Sequence, residues 1–231
     1  MPQEPFFTIL NNRATLKITG KDSRNFLQGL ITNDINLLDS QSCVYACLLT
    51  PQGKFLYDFF ITENDDVLTL DCEGGERASA LAKLLNMYKL RADVTIEATD
   101  NVPVYAIFGT DTIGTPDPRH IDMGYRSFDK PDNIPEKPFE EWDKTRIDLT
   151  IPDGSRDLIP QKSTMDEARM DQLGAVSYDK GCYVGQELTA RMHYRGLGKK
   201  HLQTVNLNAL PEGAELRSSC GDIGIALVKN H

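Results

Sequence analysis

The segment Lys180-Gly181-Cys182-Tyr183-Val184-Gly185-Gln186-Glu187 sets one thiol between two glycines, just ahead of a predicted helix over 186–194. Glycine admits positive φ and close backbone approach, so this is a shaped loop rather than a spacer. A thiol there faces the unpaired N–H groups and positive dipole end of the helix, and Lys180 adds a cation. All three favour thiolate, the form that attacks electrophiles and binds metals. Cys182 is therefore a candidate reactive residue. The competing reading is a small buried thiol in a tight turn, the commoner fate of a free cysteine. Glu187 and Arg191, spaced i,i+4, form either a solvated ion pair worth about 0.3–0.5 kcal/mol or a device that turns Arg191 toward an anion. Residues 191–201 hold Arg191, His193, Arg195, Lys199, Lys200 and His201 and no acid. That run suits a phosphate or a carboxylate-rich ligand tail, and equally an exposed basic loop.

The other thiols offer no comparable constellation. Cys43 and Cys47 are too far apart for C-x-x-C chemistry, and on a strand they share a face. With Cys72, Cys182 and Cys220 they make an odd set of five without zinc-finger spacing or a disulfide pattern. No four are grouped to hold an iron–sulfur cluster, so no metal site is expected. Free thiols fit a reducing compartment, and the first residues lack a basic and apolar leader, so a cytoplasmic location is expected. A net charge of −9 disfavours duplex nucleic acid as a partner, and no apolar run is long enough to span a bilayer.

Alternation over 13–19 predicts a strand, and Asp22 or Ser23 then caps a helix carrying Phe26, Leu27, Leu30 and Ile31 toward Asn33-Asp34. Runs 43–50 and 54–62 around Pro51-Gln52-Gly53 read as a hairpin, 67–71 as a strand and 74–90 as a helix, with strands again at 94–98 and 104–108. Residues 110–140 carry Pro116, Pro118, Pro131, Pro135 and Pro138 and read as a linker. Helices are expected from Trp142 and over Ser163–Leu173, where Gly174 suits the end. Short strands at 202–207, 214–217 and 223–228 form a tail too small to fold alone. Hairpins mixed with helices indicate an α+β fold.

The run around Cys182, continued by Leu188-Thr189-Ala190-Arg191 and Tyr194-Arg195-Gly196, resembles the signature of YgfZ-type proteins and their mitochondrial iron–sulfur assembly counterparts. Phe26-Leu27-Gln28-Gly29-Leu30-Ile31-Thr32-Asn33-Asp34, Leu48-Leu49-Thr50-Pro51-Gln52-Gly53-Lys54 with Tyr57-Asp58, Asp117-Pro118-Arg119, Gly124-Tyr125-Arg126 and Arg146-Ile147 resemble stretches shared with the glycine-cleavage T-protein. The resemblance implies the T-protein fold, its lobes surrounding a ligand hole. It divides the chain into a discontinuous first domain (1–47 plus 140–197), an inserted second (48–139) and a short C-terminal β-unit (198–231). It implies tetrahydrofolate or a one-carbon derivative as ligand, and a role in assembly or repair of iron–sulfur enzymes, tRNA-modifying ones included, as client partners. Cys182 carries over as the working thiol, with Lys180, Gly181, Tyr183, Gly185, Gln186 and Glu187 as its frame. Asn33, Asp34, Asp58 and Asp148 carry over as candidate folate contacts, with Arg191 and Arg195 toward the glutamate tail. T-proteins pair two acids in the hairpin strand, and Tyr57-Asp58 supplies one, which argues against true aminomethyl transfer. That transferase activity and a non-enzymatic partner-docking module are the alternatives.

Overall fold

The computed structural model describes residues 4–99 and 102–229. The chain runs β1 (Phe6–Ile9), β2 (Arg13–Thr19), α1 (Ser23–Gln28), β3 (Val44–Leu49), β4 (Phe55–Asn64), β5 (Val67–Glu73), α2 (Glu76–Tyr88), β6 (Thr95–Thr99), β7 (Tyr105–Phe108), β8 (Thr115–Pro116), β9 (Tyr125–Ser127), α3 (Phe139–Asp148), α4 (Gln186–Arg195), β10 (Lys200–Asn206), β11 (Glu215–Cys220) and β12 (Ile223–Lys229). Three sheets result, ordered β3-β4-β5-β2-β6, β1-β7-β9-β8 and β10-β12-β11.

The five-stranded sheet is buried on both faces, and strand alternation sorts its residues. Tyr57, Phe59 and Ile61 of β4 join Leu16, Ile18, Leu68 and Leu70 under α1 and α2, which contribute Leu27, Leu81 and Leu85. Phe60, with Tyr45 and Cys47 from β3, faces the opposite core of Ile147, Leu158, Met165, Met170 and Tyr183, closed by Leu202, Ile225 and Leu227 of the C-terminal sheet. Asp58 shares that second face by its place in the alternation, opposite Cys47 in the β3–β4 register. The hairpin turn closes with Gly53 N–H donating to the Thr50 carbonyl (2.8 Å) and Thr50 N–H to that of Lys54 (2.7 Å).

The four-stranded sheet packs on α3 through Phe6, Val104, Ala106, Phe108 and Trp142. Proline-rich 110–140, expected as a linker, instead supplies β8 and β9, whose pairing with β7 completes this sheet. Hydrogen bonding also crosses the domain boundary expected at 47/48. β3 runs straight through it, because no turn residue interrupts the alternation before Pro51, and β2 pairs with β5 and β6.

Two helix expectations are corrected. The first helix ends at Gln28, because Thr32 and Asn33 bond other elements: Thr32 Oγ1 donates to the Ala175 carbonyl (2.6 Å) and Asn33 Nδ2 to those of Tyr45 (2.9 Å) and Gly174 (2.7 Å). Residues 163–173 form consecutive turns. Arg169 has φ +49°, outside the helical region, and the Glu167 carbonyl accepts from Leu202 N–H of β10 rather than continuing a helix.

Arg146, fully buried on α3, ties the C-terminal sheet to the rest. Its guanidinium donates to Asp143 (2.6 Å), Asp157 (2.7 Å) and Ser218 Oγ of β11 (2.9 Å). Removing one member of such a group leaves buried charge unpaired. Arg146→Ala is expected to lower unfolding free energy by roughly 3–5 kcal/mol, read as a fall in the urea midpoint.

Candidate functional site

The loop before α4 is anchored at both ends. Lys180, half-buried, aims its ammonium at the end of α1 and donates to the carbonyls of Gln28 (2.7 Å), Ile31 (2.8 Å) and Asn33 (2.7 Å). These oxygens lie at and beyond the helix end, where carbonyls lack intrahelical partners. Burial pulls the Lys180 amine down to about 8, with Asp34 opposing. Lys180 thus directs its charge at α1, and it frames the thiol by anchoring the start of the loop. Val184 N–H donates to the Gly29 carbonyl (3.2 Å), Gln186 Oε1 accepts from Tyr183 N–H (3.1 Å), and Tyr183 is buried in the core.

The two motif glycines do different things. Gly185 has φ +85°, and a Cβ there would stand 2.5 Å from the Thr50 carbonyl oxygen and 3.1 Å from Gly53 Cα. It lets the hairpin turn and the start of α4 touch backbone to backbone. A Cβ on Gly181 would meet nothing within 4 Å. Between these anchors Cys182 is exposed, on a groove of about 390 Å³ shared with Ser177, Tyr178, Glu187 and Ala190.

The remaining thiols are set apart. Cys43, Cys47 and Cys72 are buried, and burial pushes the Cys43 and Cys72 thiols up to about 12 and Cys47 well above its ordinary value. Burial likewise raises Cys220, which is partly exposed. Among the described residues no group of three or more His, Cys, Asp or Glu is arranged to hold a metal ion, and no helix is long and apolar enough to cross a membrane.

The expected folate contacts do not converge. Asn33 is committed to the backbone bonds above, and Asp34 caps the following turn by accepting from Asn36 N–H and Gln28 Nε2 (both 3.0 Å). Asp148, Arg191 and Arg195 are exposed, Asp148 at the end of α3 beside β10, the arginines on α4. Glu187 and Arg191 form no ion pair among the described residues. Asn33 is buried, and of the expected acids Asp58 is the one buried in the interior. Its Oδ2 accepts from the Tyr45 hydroxyl (2.9 Å), and its Oδ1 has no partner among the described residues. Burial raises its carboxyl above the ordinary range, against the pull of Arg13.

Beside Asp58 lies a charged layer that sequence reasoning missed. Arg13 bonds one oxygen of Asp71 (2.7 Å) and Arg126 the other, and Arg119 grips Asp117 through two nitrogens (2.9 and 2.7 Å). Burial alone would raise Asp117, but Arg119 outweighs it and holds the carboxyl below its usual range. Arg126 and Arg119 lie over the Phe60 ring at 3.8 and 4.7 Å. Above this layer a cavity of about 580 Å³ opens between the two larger sheets, walled by Cys43, Phe60, Asp71, Arg126 and Phe128. Asp117-Pro118-Arg119 and Gly124-Tyr125-Arg126 were visible as motifs, but nothing local shows that their charges turn inward toward β5.

No family model matches the chain. It is 30% identical to the mitochondrial iron–sulfur cluster assembly factor IBA57 of Mus musculus, over 96% of this chain and 76% of that protein. It is also 30% identical to the Homo sapiens IBA57, over 95% of this chain and 76% of that one. The chain belongs to the IBA57 family. Its fold is that of the glycine cleavage system aminomethyltransferase T from Bartonella henselae, with a TM-score of 0.72 at 13% identity over 98% of this chain and 78% of that one. Of the two groups in the sequence resemblance, these matches are to the mitochondrial one. They also overturn the cytoplasmic expectation: the IBA57 relatives are named as mitochondrial, which points to that organelle. Unpaired thiols exclude only an oxidising compartment and do not separate cytoplasm from mitochondrion.

The geometry separates the IBA57 motif glycines experimentally. Gly185→Ala is expected to cost roughly 2–4 kcal/mol through strained φ and a backbone clash, and Gly181→Ala to stay within about 0.5 kcal/mol. Chemical denaturation of both variants checks this.

Proposed function

We propose that this IBA57-family chain acts in the assembly or repair of iron–sulfur proteins, with Cys182 as its working thiol. The observation carrying this reading is the exposure of Cys182 on an anchored loop, while Cys43, Cys47 and Cys72 are buried. A cluster takes about four cysteine ligands, and this chain presents one on the loop. A cluster handled here as cargo therefore draws its other ligands from a second protein, so Cys182 serves transfer rather than storage. Client iron–sulfur enzymes are the partners of this reading, and tRNA-modifying enzymes among them are its finer form, supported by the sequence resemblance alone. The single acid of Tyr57-Asp58, bonded to Tyr45, supports assembly over aminomethyl transfer.

Cys182→Ser is expected to keep unfolding free energy within about 0.5 kcal/mol, as an exposed substitution does. It is expected to lose rescue of iron–sulfur enzyme activity in a strain lacking its own copy. Full rescue by the serine variant overturns the thiol role.

Tetrahydrofolate, or a one-carbon derivative, is the finer reading for the interior. The T-protein fold supports it, and the Phe60 cavity fits it. The cavity lies within the roughly 300–1,000 Å³ range of small-molecule sites, and Phe60 and Phe128 on its walls suit a flat aromatic ring. Phe60, which walls the cavity with Asp71 and Arg126, would stack on the ring, and folate when bound would supply one-carbon chemistry. Asn33, Asp34, Asp148, Arg191 and Arg195 leave this reading, being bonded elsewhere or exposed on other elements. In a titration with tetrahydrofolate, Phe60→Ala is expected to weaken binding about tenfold, the loss of one aromatic contact, and Arg191→Ala to leave it unchanged. Absence of saturable binding by the unsubstituted chain overturns it.

A further inference from the structure

The last turn of α4 and the residues after it carry charge opposite to the protein as a whole. From Leu188 to Pro211 the sequence has no acid, and it holds Arg191, Arg195, Lys199 and Lys200 in a chain of net charge −9. Lys200 pairs with Glu215 (2.6 Å). Arg191, Arg195 and Lys199 are exposed and form no ion pair among the described residues. Cations left unpaired in an acidic protein form a local field complementary to an acidic surface.

Apolar surface lies among these cations. Tyr194 is 71% exposed and Leu197 47%. The Tyr194 ring is placed by its neighbours: His193 meets it edge-on at 5.0 Å, and Tyr178 stacks on His193 at 4.0 Å and lies 5.9 Å from Tyr194. Asp171 holds His193 from below (3.3 Å). Gly196, in the left-handed region at φ +58°, turns the chain so that Leu197 and Lys199 follow directly. Tyrosine and arginine set in a polar rim are the residue types that dominate protein interfaces. Tyr178 also lines the Cys182 groove, so this face and the thiol form one continuous surface.

We propose that the exposed face from Arg191 to Lys199, centred on Tyr194, is the docking surface for an acidic protein partner, which it brings against Cys182. The proposal rests on the assembly reading, in which a second protein supplies the remaining cluster ligands. Three unpaired cations are too few for nucleic acid, where specific binding neutralises roughly 6–10 phosphates, or for a membrane, where basic clusters run to about 4–8. Tyr194 and Leu197 add the apolar contact that a protein surface uses.

The probe is a fluorescein-labelled synthetic peptide of Asp and Glu around a central Phe, followed by anisotropy. The unsubstituted chain is expected to bind it with an affinity that falls with salt. Arg191→Glu with Arg195→Glu is expected to weaken binding about tenfold, and Tyr194→Ala to weaken it less. Lys17→Glu with Lys83→Glu, which makes the same charge change on other elements, is expected to have no effect. Iodoacetamide should alkylate Cys182 in the arginine variant at the normal rate, showing the loop intact. No peptide binding, equal binding by the arginine variant, or tighter binding of single-stranded RNA or phosphatidylserine vesicles overturns the proposal. In the rescue assay the arginine variant is expected to fail. Failure of Cys182→Ser alone, with rescue by the arginine variant, overturns the docking surface and keeps the thiol role. Failure of the arginine variant alone, with rescue by Cys182→Ser, keeps the docking surface and overturns the thiol role.

Discussion

Three carbonyl oxygens, of Gln28 at the end of α1 and of Ile31 and Asn33 just beyond it, converge on the ammonium of Lys180, 152 residues later in the chain than the first of them. α1 has only six residues, and the chain that leaves it has few partners of its own for these carbonyls. Left unpaired they would cost about 1–3 kcal/mol each. The lysine satisfies them and places its positive charge at the negative end of the helix dipole. Burial works against that charge and pulls the amine down to about 8. The consequence is positional. Lys180 holds one end of the Cys182 loop against α1, and backbone contact between Gly185 and the hairpin turn holds the other. A side chain can be fully exposed while its backbone has little freedom, and this arrangement presents a thiol without first having to order it.

The interior of this acidic protein is rich in arginine. Arg13, Arg119, Arg126 and Arg146 are all buried or nearly so, each matched to an aspartate, three of them lying over the rings of Tyr45 and Phe60. Buried ion pairs add little net stability over apolar packing of the same volume. Their geometry is nevertheless specific. A guanidinium presents fixed donors in one plane, so Arg126, reaching from β9 to Asp71 on β5, admits few relative placements of the two sheets. This layer makes Asp58 unusual: its hydroxyl partner is Tyr45, and one oxygen is left without a donor beside several arginines that already have carboxylates.

Legibility in the sequence followed the range of the forces involved. The hairpin around Pro51–Gly53, the strands from Arg13 and Val67 and the three C-terminal strands follow from alternation and turn chemistry, which act within a few residues. The shaped loop at Cys182 was legible for the same reason, since glycine spacing and a helix start are local. The readings that needed correction depend on distant partners. Helical spacing over 163–173 yields to a left-handed Arg169 and to a carbonyl drawn to β10. The first helix stops early because Thr32 and Asn33 bond segments more than a hundred residues away. Lys180 sits beside the thiol in sequence yet points at α1. The inward arginines of 119 and 126 lie in a proline-rich stretch whose composition reads as a linker, and the pairing of β9 with β7 turns Arg126 toward Asp71 while Arg119 grips Asp117.

A division among the thiols follows from the same packing. Three cysteines are buried, and burial pushes two of their thiols up to about 12, which disfavours the thiolate that binds metal. The one on the anchored loop is exposed to solvent and to whatever docks beside it. In a protein of the IBA57 family such sorting has a chemical reason. Thiolate is the form that takes iron, and a protein handling clusters would lose its fold if core cysteines competed for them. Burial removes that competition by making ionisation unfavourable, without changing residue type. Of the remaining two cysteines, Cys220 is partly exposed on β11, and Cys182 is exposed beside a face whose charge is opposite to that of the chain. Contact with an acidic partner is then favoured on the Arg191–Lys199 face next to the Cys182 groove and disfavoured over the rest of the acidic surface, so the charge distribution selects the orientation in which Cys182 is met.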